Sequence, residues 1–241
     1  ILTVGLSSTD IGTITMTIYD LDGTMIGGNP VTAGRVTGRD FNCSFLSAFM
    51  SRTVNDSTSA GEQSRPVTIV VTEVGSFIYD ELDQPHALRE VVMSDDAIQL
   101  NNVNYGYWTQ SPACTIAIED KSYYCYAGFK EGYRAELHVA IEELQSKIPE
   151  TMIDQDGRGA IFLGPQHLVL SDPADPLGII EYRTFAVDQG EHITGLASYM
   201  EQIIVFSDKS IYSITGGTDE TWQMFKVVKG VGCIAKDSIV E

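Results

Sequence analysis

The nine residues Ile204-Val205-Phe206-Ser207-Asp208-Lys209-Ser210-Ile211-Tyr212 contain two short apolar runs separated by a polar Asp-Lys-Ser turn. Short runs rich in Ile, Val, Phe and Tyr favour strands, and a tight polar turn between two such runs predicts a β-hairpin. Residues 116–124 repeat this arrangement with the same Asp-Lys-Ser turn in register. Two matching hairpins predict a β-rich fold that is built from repeated units.

A third copy of the pattern occurs at 70–79, and two looser copies occur at 161–169 and 18–26. A spacing of about 45 residues leaves room for two further strands per hairpin, which is the size of a four-stranded propeller blade. The sequence therefore predicts an all-β, β-propeller-like array of about five four-stranded blades forming a single region over residues 1–241. A β-sandwich or barrel with evenly spaced hairpins is the alternative. The residues that close the five turns are Thr24, Ser76, Ser122, His167 and Ser210, with successive gaps of 52, 46, 45 and 43.

The same spacing places a sixth turn at roughly residue 255, beyond the last residue of the sequence. The chain also begins at Ile1 without an initiator methionine. We therefore expect an incomplete propeller that is a fragment of a longer polypeptide. Its exposed edge would need more chain or a partner subunit to cover it.

Two segments depart from the strand pattern. Residues 132–148 carry Leu137, Ile141, Leu144 and Ile148 at helical spacing, and Pro149 follows directly, which predicts an inserted amphipathic helix. Residues 41–50 could form a short helix behind Asp40 as its cap.

The charge balance limits the possible partners. Against 15 Lys and Arg there are 33 Asp and Glu, which gives a formal net charge of −18, so the surface should repel nucleic acid phosphates. The sequence has neither a signal segment nor an apolar run of 18 residues, so we expect no membrane insertion. The four cysteines are widely spaced without a C-x-x-C pair and are expected to be buried free thiols.

One motif requires a chemical interpretation. Asp20-Leu21-Asp22-Gly23-Thr24 imitates the D-x-D-G-T nucleophile loop of haloacid-dehalogenase-type phosphatases, in which two Asp residues hold magnesium. Those enzymes need βαβ alternation and a lysine that precedes a late pair of acids, but here Asp95-Asp96 comes before Lys121 and Lys130. Asp-Gly between apolar residues is also a strong hairpin signal. We therefore interpret the motif as a turn.

Other candidate sites are weaker. Thr218–Trp222 resembles only the end of a sialidase-type blade turn, and Trp222 is expected to be an anchor packed between blades. The acidic residues on the loop 171–176 could bind calcium or satisfy backbone donors of the turn. Tyr105, Tyr107 and Trp108 could form a sugar platform or belong to the core. We assign no catalytic, cofactor or metal residue, and the partner contacts remain unknown. The histidines, at 86, 138, 167 and 192, are scattered.

The stretch from Leu168 to Glu241 resembles the tail proteins of bacteriophages, including the propeller-bearing nozzle proteins of short-tailed phages. The resemblance rests on Leu170-Ser171-Asp172-Pro173, Asp175-Pro176, Gly195-Leu196, Ile203–Phe206, Ser210–Gly216 and Gly230–Ala235. It covers under a third of the chain, and none of its motifs is catalytic.

This resemblance implies a structural protein of the virion tail, located at the nozzle or hub of the DNA exit channel. It would be a homo-oligomeric ring that contacts adaptor and fibre proteins and lets double-stranded DNA pass without specific binding. No enzymatic activity and no cofactor are expected. The alternative is a carbohydrate-binding or carbohydrate-cleaving β-propeller.

Overall fold

The structure is a computed structural model that describes residues 2–6, 14–18, 31–33, 46–53, 65–73, 75–79, 88–90, 107–108, 112–120, 123–138, 158–172, 175–216, 222–235 and 238–239. Within these ranges the chain forms eighteen β-strands and no α-helix. The prediction of an all-β fold is confirmed.

The strands form four antiparallel sheets, none of which is closed. The first sheet contains β1 (Leu2–Leu6), β2 (Ile14–Ile18) and β3 (Val31–Ala33). The second is a meander of β4 (Leu46–Thr53), β5 (Arg65–Thr72), β6 (Gly75–Tyr79) and β7 (Leu88–Glu90). The last sheet is a meander of β15 (Ile193–Tyr199), β16 (Gln202–Ser207), β17 (Ser210–Thr215) and β18 (Gln223–Lys229).

The third sheet has seven strands in two parts. Its main part, here called the central sheet, has the order β9 (Ile116–Asp120), β10 (Tyr123–Ala127), β13 (His167–Asp172) and β14 (Asp175–Ala186). The side part contains β8 (Tyr107–Trp108), β11 (Tyr133–His138) and β12 (Arg158–Leu163). A single pair, Ile180 with Tyr107, joins the two parts.

The central sheet is buried on both faces. All five residues of β10 are buried, and successive side chains of a strand point to opposite faces of its sheet. Tyr124 and Tyr126 belong to a core cluster that includes Ile69 of β5. Cys125 and Ala127 belong to a second cluster, which includes several residues of β15, β16 and β17. The second, central and last sheets therefore stack face to face, with the central sheet in the middle.

The three stacked sheets are closest at their first strands. β9 contacts both β4 and β15, and each of these is the first strand of its own sheet. Ser198 in β15 also donates a hydrogen bond to Asp120 at the end of β9, at 2.6 Å. The three sheets therefore approach one another most closely along one edge, where their first strands β4, β9 and β15 lie.

Three of the five predicted hairpins are confirmed. β16 pairs with β17, β9 pairs with β10, and β5 pairs with β6, in each case antiparallel across a short turn. The turn at Thr24 lies outside the described residues, although the flanking strands β2 and β3 pair with each other.

The hairpin predicted at 161–169 is wrong. Its two strands are present as β12 and β13, but β12 pairs with β11, whereas β13 pairs with β10 and β14. The residues between β10 and β13 are an insertion that adds β11 and β12 to the side part of the sheet. The apolar pattern alone could not reveal this, because it marks strands but not their partners.

The prediction of five evenly spaced blades is not confirmed, for the same reason. Ser76, His167 and Ser210 all lie at the start of the third strand of their sheets, whereas the turn that follows Asp120 joins a first strand to a second. The predicted repeat of about 45 residues therefore treated the insertion that contains β11 and β12 as a separate blade. The described residues contain four sheets, and three of them include a four-stranded meander.

The helix predicted over 132–148 is wrong at its start. Residues Tyr133–His138 are strand β11, which pairs with β12 along its whole length. Tyr133, Ala135 and Leu137 alternate with polar residues, and Ala135 is completely buried. This period of two prevails over the helical spacing that starts at Leu137. Residues 139–148 lie outside the described part of the chain.

The short helix considered over 41–50 is also wrong where the structure describes it. Leu46–Thr53 is strand β4, and all eight of its residues pair with β5. This ladder gives the backbone of β4 hydrogen-bond partners along its length, which outweighs the local preference behind Asp40.

Candidate functional site

A buried glutamate ties together the strands at one end of the last sheet. Glu191 precedes β15, and its side chain accepts three hydroxyl hydrogen bonds. One carboxylate oxygen lies 2.6 Å from Ser207 Oγ and 2.9 Å from the Tyr212 hydroxyl, and the other lies 2.9 Å from Ser210 Oγ. The carboxylate thereby connects the segment before β15 to β16 and β17.

A lysine completes this group, which we call the Glu191 cluster (Asp188, Glu191, Ser207, Ser210, Tyr212 and Lys226). Lys226 Nζ lies 3.4 Å from Glu191, is ion-paired with Asp188, and stands 5.1 Å from the centroid of the Tyr212 ring. The hydrogen bond to Asp188 raises the pKa of Lys226. β18 is thus joined to the same carboxylate as β16 and β17.

The hydrogen bonds fix the charge of Glu191. Burial would raise the pKa of this carboxyl, but the three hydroxyl donors and Lys226 outweigh burial and lower its pKa to about 2. Glu191 is therefore ionised near neutral pH, and both of its oxygens accept hydrogen bonds. A general acid or base needs a pKa near the working pH, which Glu191 does not have. The arrangement instead suits a structural role, in which the carboxylate holds neighbouring strands together.

A second tie lies at the turn between β16 and β17. The backbone N–H of Cys233 donates to the carbonyl of Ser207 at 2.8 Å, and the Thr194 hydroxyl donates to the Cys233 carbonyl. A side chain at Gly232 would come within 2.4 Å of the backbone of Asp208 and Lys209. The segment after β18 therefore runs directly against this turn, and only glycine fits at Gly232.

Trp222 has the predicted anchoring role. Its ring meets the ring of Tyr123 edge to face at 5.0 Å, which links the last sheet to the central sheet. Gly216 lies so close to Trp222 that a side chain there would be 2.6 Å from the indole. Gly216 and Gly232 both belong to the stretches that carry the resemblance, and both are required by close packing.

The last sheet is apolar on both faces. Its inner face joins the core through Leu196, Val205 and Ile214. On the opposite side, Ile204 pairs with Ser213, which in turn pairs with Phe225, so these three residues share a face. We call this side the outer face, which is defined by Ile204, Phe206, Ile211 and Phe225.

Part of the outer face is open to solvent. Phe225 is 52% exposed and Val227 is 62% exposed, and both lie on β18, the edge strand of its sheet. A one-sided antiparallel sheet normally alternates apolar residues inward with polar residues outward. Phe225 and Val227 therefore depart from this alternation.

The candidate sites from the sequence are not brought together. His167 Nδ1 accepts a hydrogen bond from the Gly164 N–H at 2.9 Å, and burial lowers the pKa of this histidine. His192 is exposed, and its backbone N–H donates to Asp208. Among the described side chains, no three His, Cys, Asp or Glu residues are grouped so that they could hold a metal ion.

Other candidates are only partly described. Residues 20–24 and Tyr105 lie outside the described ranges, as do His86 and the whole segment 217–221. Tyr107 and Trp108 form β8 and pair with β11. Asp172 and Asp175 are paired across the end of β13 and β14. The calcium site and the sugar platform therefore stay predictions.

The described cysteines are free thiols. Cys114 and Cys125 are buried as expected, whereas Cys233 is partly exposed and differs from the expectation. Burial raises the pKa of Cys114 to about 12, and burial also raises the pKa of Cys125. Cys43 lies outside the described residues.

Sequence reasoning missed the Glu191 cluster and the outer face. Glu191 stands between Gly190 and His192 in a loop, where no spacing marks it as buried. The outer face did leave a signal, because Ile203-Ile204-Val205-Phe206 is apolar at every position, which is typical of a strand that is buried on both sides.

In the part of the chain that the structure describes, no helix is long and apolar enough to cross a membrane. No protein-family model matches the chain, and no curated protein matches it.

Proposed function

We propose that this protein is a structural component of a phage tail, at the nozzle or hub of the DNA exit channel. It acts by oligomeric assembly and not by catalysis. The observation that carries the proposal is the face-to-face stack of the second, central and last sheets, which meet at their first strands β4, β9 and β15. Sheets that radiate from their first strands are the arrangement of propeller blades.

The roles of the residues behind the resemblance support the same proposal. Ser210 and Tyr212 hold Glu191, Gly232 lies against the turn at Asp208, and Leu170 and Ile203 belong to the core. Each of these residues shapes or joins sheets. The residues behind the proposed resemblance to tail proteins therefore have roles in joining the sheets.

The charge of the chain supports a conduit. A net charge of −18 disfavours contact with DNA phosphates. A positively charged channel wall would attract the DNA and slow its exit. An acidic wall repels the DNA from all sides, so the DNA passes without being bound.

The test combines sedimentation with a DNA-binding assay. We expect the purified protein to sediment as a closed oligomer and to leave double-stranded DNA unshifted even at low salt, where attraction to phosphates is strongest. A protein that stays monomeric at high concentration and does not join other tail proteins would contradict the proposal. Specific binding on a glycan array would instead support the carbohydrate-binding alternative.

A further inference from the structure

Two segments of the chain contact a turn of the preceding sheet in the same way. Ahead of the central sheet, the backbone N–H of Cys114 donates to the carbonyl of Thr72, the last residue of β5, at 3.0 Å. After the last sheet, the backbone N–H of Cys233 donates to the carbonyl of Ser207, the last residue of β16, at 2.8 Å. Both β5 and β16 are the second strands of four-stranded sheets. The two cysteines therefore occupy matching places beside the turn between a second and a third strand.

The side chains around these two contacts match as well. The Cys114 thiol donates to the carbonyl of the residue two positions later at 3.4 Å, and the Cys233 thiol does the same at 3.2 Å. In the two turns, the Thr72 hydroxyl donates to the carbonyl of the residue three positions later at 2.9 Å, and the Ser207 hydroxyl does the same at 3.0 Å. Residues 231–235 are thus the counterpart of residues 112–116.

Residues 112–116 are the entry to a sheet. They lead into β9, the first strand of the central sheet, and the Thr115 hydroxyl donates to the carbonyl of Gly128 directly after β10, the second strand of that sheet. The position that matches Thr115 in the segment after β18 is Ile234, whose side chain is 88% exposed. Ile234 therefore stands where the corresponding residue of the central sheet contacts the second strand of its own sheet.

The faces of the second and last sheets match in the same register. One and three positions before the end of β5 lie Val71 and Ile69, which belong to the core cluster that the second sheet shares with the central sheet. The residues one and three positions before the end of β16 are Phe206 and Ile204, which lie on the outer face. The outer face of the last sheet is therefore the counterpart of the side of the second sheet on which the central sheet packs.

We infer that residues 231–235 lead into a further sheet of the same polypeptide, and that this sheet covers the outer face of the last sheet. The connector is continuous with β18, so the occupant is the next unit of the stack, packed as the central sheet packs on the second sheet. Phe225, which is 52% exposed on the outer face, is buried in that arrangement. The inference concerns the fold of a single chain and does not depend on the proposed assembly function.

Hydroxyl-radical labelling of aromatic side chains, measured by mass spectrometry, tests this inference. The experiment compares residues 1–241 with the natural polypeptide, each over a series of concentrations. We expect Phe225 to be labelled readily in residues 1–241, whereas in the natural polypeptide its labelling falls to the level of Phe77, which is 2% exposed. Phe162 is the matched control, because it is 60% exposed on β12 of another sheet, and its labelling should be equal in the two polypeptides.

Gly232→Ala provides a second measurement in the natural polypeptide. The added methyl group collides with the backbone of Asp208 and Lys209 and displaces the connector, so we expect the labelling of Phe225 to return. Val231→Ala should leave Phe225 protected. Phe77 should stay unlabelled in both variants, which shows that the fold is intact. Protection of Phe225 that persists in Gly232→Ala would overturn the role of the connector.

The comparison of the two polypeptides separates the possible occupants of the outer face. Protection of Phe225 that occurs only in the natural polypeptide, and does not change with concentration, supports the inference. Protection that grows with concentration in both polypeptides assigns the face to another copy of the chain, which overturns the inference and leaves the assembly function standing. Equal labelling at every concentration also overturns the inference, including the case in which no residue follows Glu241 in the natural polypeptide.

Discussion

The hydroxyl of Tyr212 lies 2.9 Å from a carboxylate oxygen of Glu191, and it also accepts a hydrogen bond from the backbone N–H of Asp188 at 3.1 Å. A single phenol thus connects strand β17 to both ends of the short loop 188–191. Tyr212 is 3% exposed and Glu191 is 7% exposed. Water cannot easily replace either hydrogen bond, so the two hydrogen bonds of the Tyr212 hydroxyl should contribute measurably to the free energy of unfolding.

Replacing Tyr212 by Phe tests this contribution. The change keeps the ring and removes only the hydroxyl, which leaves the Asp188 N–H and one Glu191 oxygen with fewer partners. We expect the free energy of unfolding to fall by about 1–3 kcal/mol, as measured by denaturant unfolding. Tyr199→Phe is the control, because Tyr199 is 60% exposed, and it should leave stability unchanged. Equal stability of both variants would show that the hydroxyl contributes nothing.

The low pKa of Glu191 predicts a dependence of stability on pH. Because folding lowers this pKa from 4.5 to about 2, the ionised group stabilises the fold above about pH 5. That contribution is lost as pH falls toward 2, since the unfolded chain then binds a proton more readily than the folded chain. We expect Glu191→Gln to be less stable than the original chain at neutral pH, by about 1.5–3 kcal/mol.

The difference between the two chains should shrink steadily as the pH is lowered from 5 to 2. Glu131→Gln is the matched control, because Glu131 is exposed, and it should follow the original chain at every pH. A difference for Glu191→Gln that does not change with pH would contradict the assignment of an ionised, stabilising carboxylate.

Gly232→Ala tests the packing of the segment after β18. The new methyl group would collide with the backbone between Ser207 and Lys209, and a backbone in a hydrogen-bonded turn cannot move aside cheaply. We expect a loss of about 1–3 kcal/mol in stability and faster labelling of the neighbouring Cys233 thiol. Val231→Ala, on the exposed preceding residue, should change neither. Unaltered labelling in Gly232→Ala would show that the segment does not depend on this contact.

Thiol labelling tests the burial of the cysteines. In a Cys43→Ser background, we expect a thiol reagent to modify Cys233 in the folded protein but not Cys114 or Cys125. Their burial keeps both in the protonated, unreactive form. All three thiols should react once the chain is unfolded in guanidinium chloride. Rapid modification of Cys125 in the folded state would contradict the burial of β10 between two sheets.

The sequence predicted the fold class because strands leave local signals. The apolar runs on either side of Asp208 and Asp120 identify hairpins by their composition and turn residues. The number of blades was not predictable in this way, since partners in a sheet are chosen by long-range packing. His167 begins a strand as expected, but the preceding strand, which ends at Leu163, pairs elsewhere.

The candidate site was less predictable than the fold. Glu191 becomes important only because the fold places three hydroxyls around it, and two of them, Ser207 and Ser210, were visible in the sequence solely as turn residues. The outer face could have been predicted, because Phe206 and Ile204 give β16 an apolar residue on its second side. An exposed Phe225 gives no such signal without knowledge of what packs against it.

Projection images of the assembled protein test the central proposal most directly. A stack of sheets that meet at their first strands, assembled into an oligomer, should give a ring with an axial channel in electron micrographs. Isolated compact particles without a channel, in the original chain and at high concentration, would contradict the account of this protein as a structural part of a tail conduit.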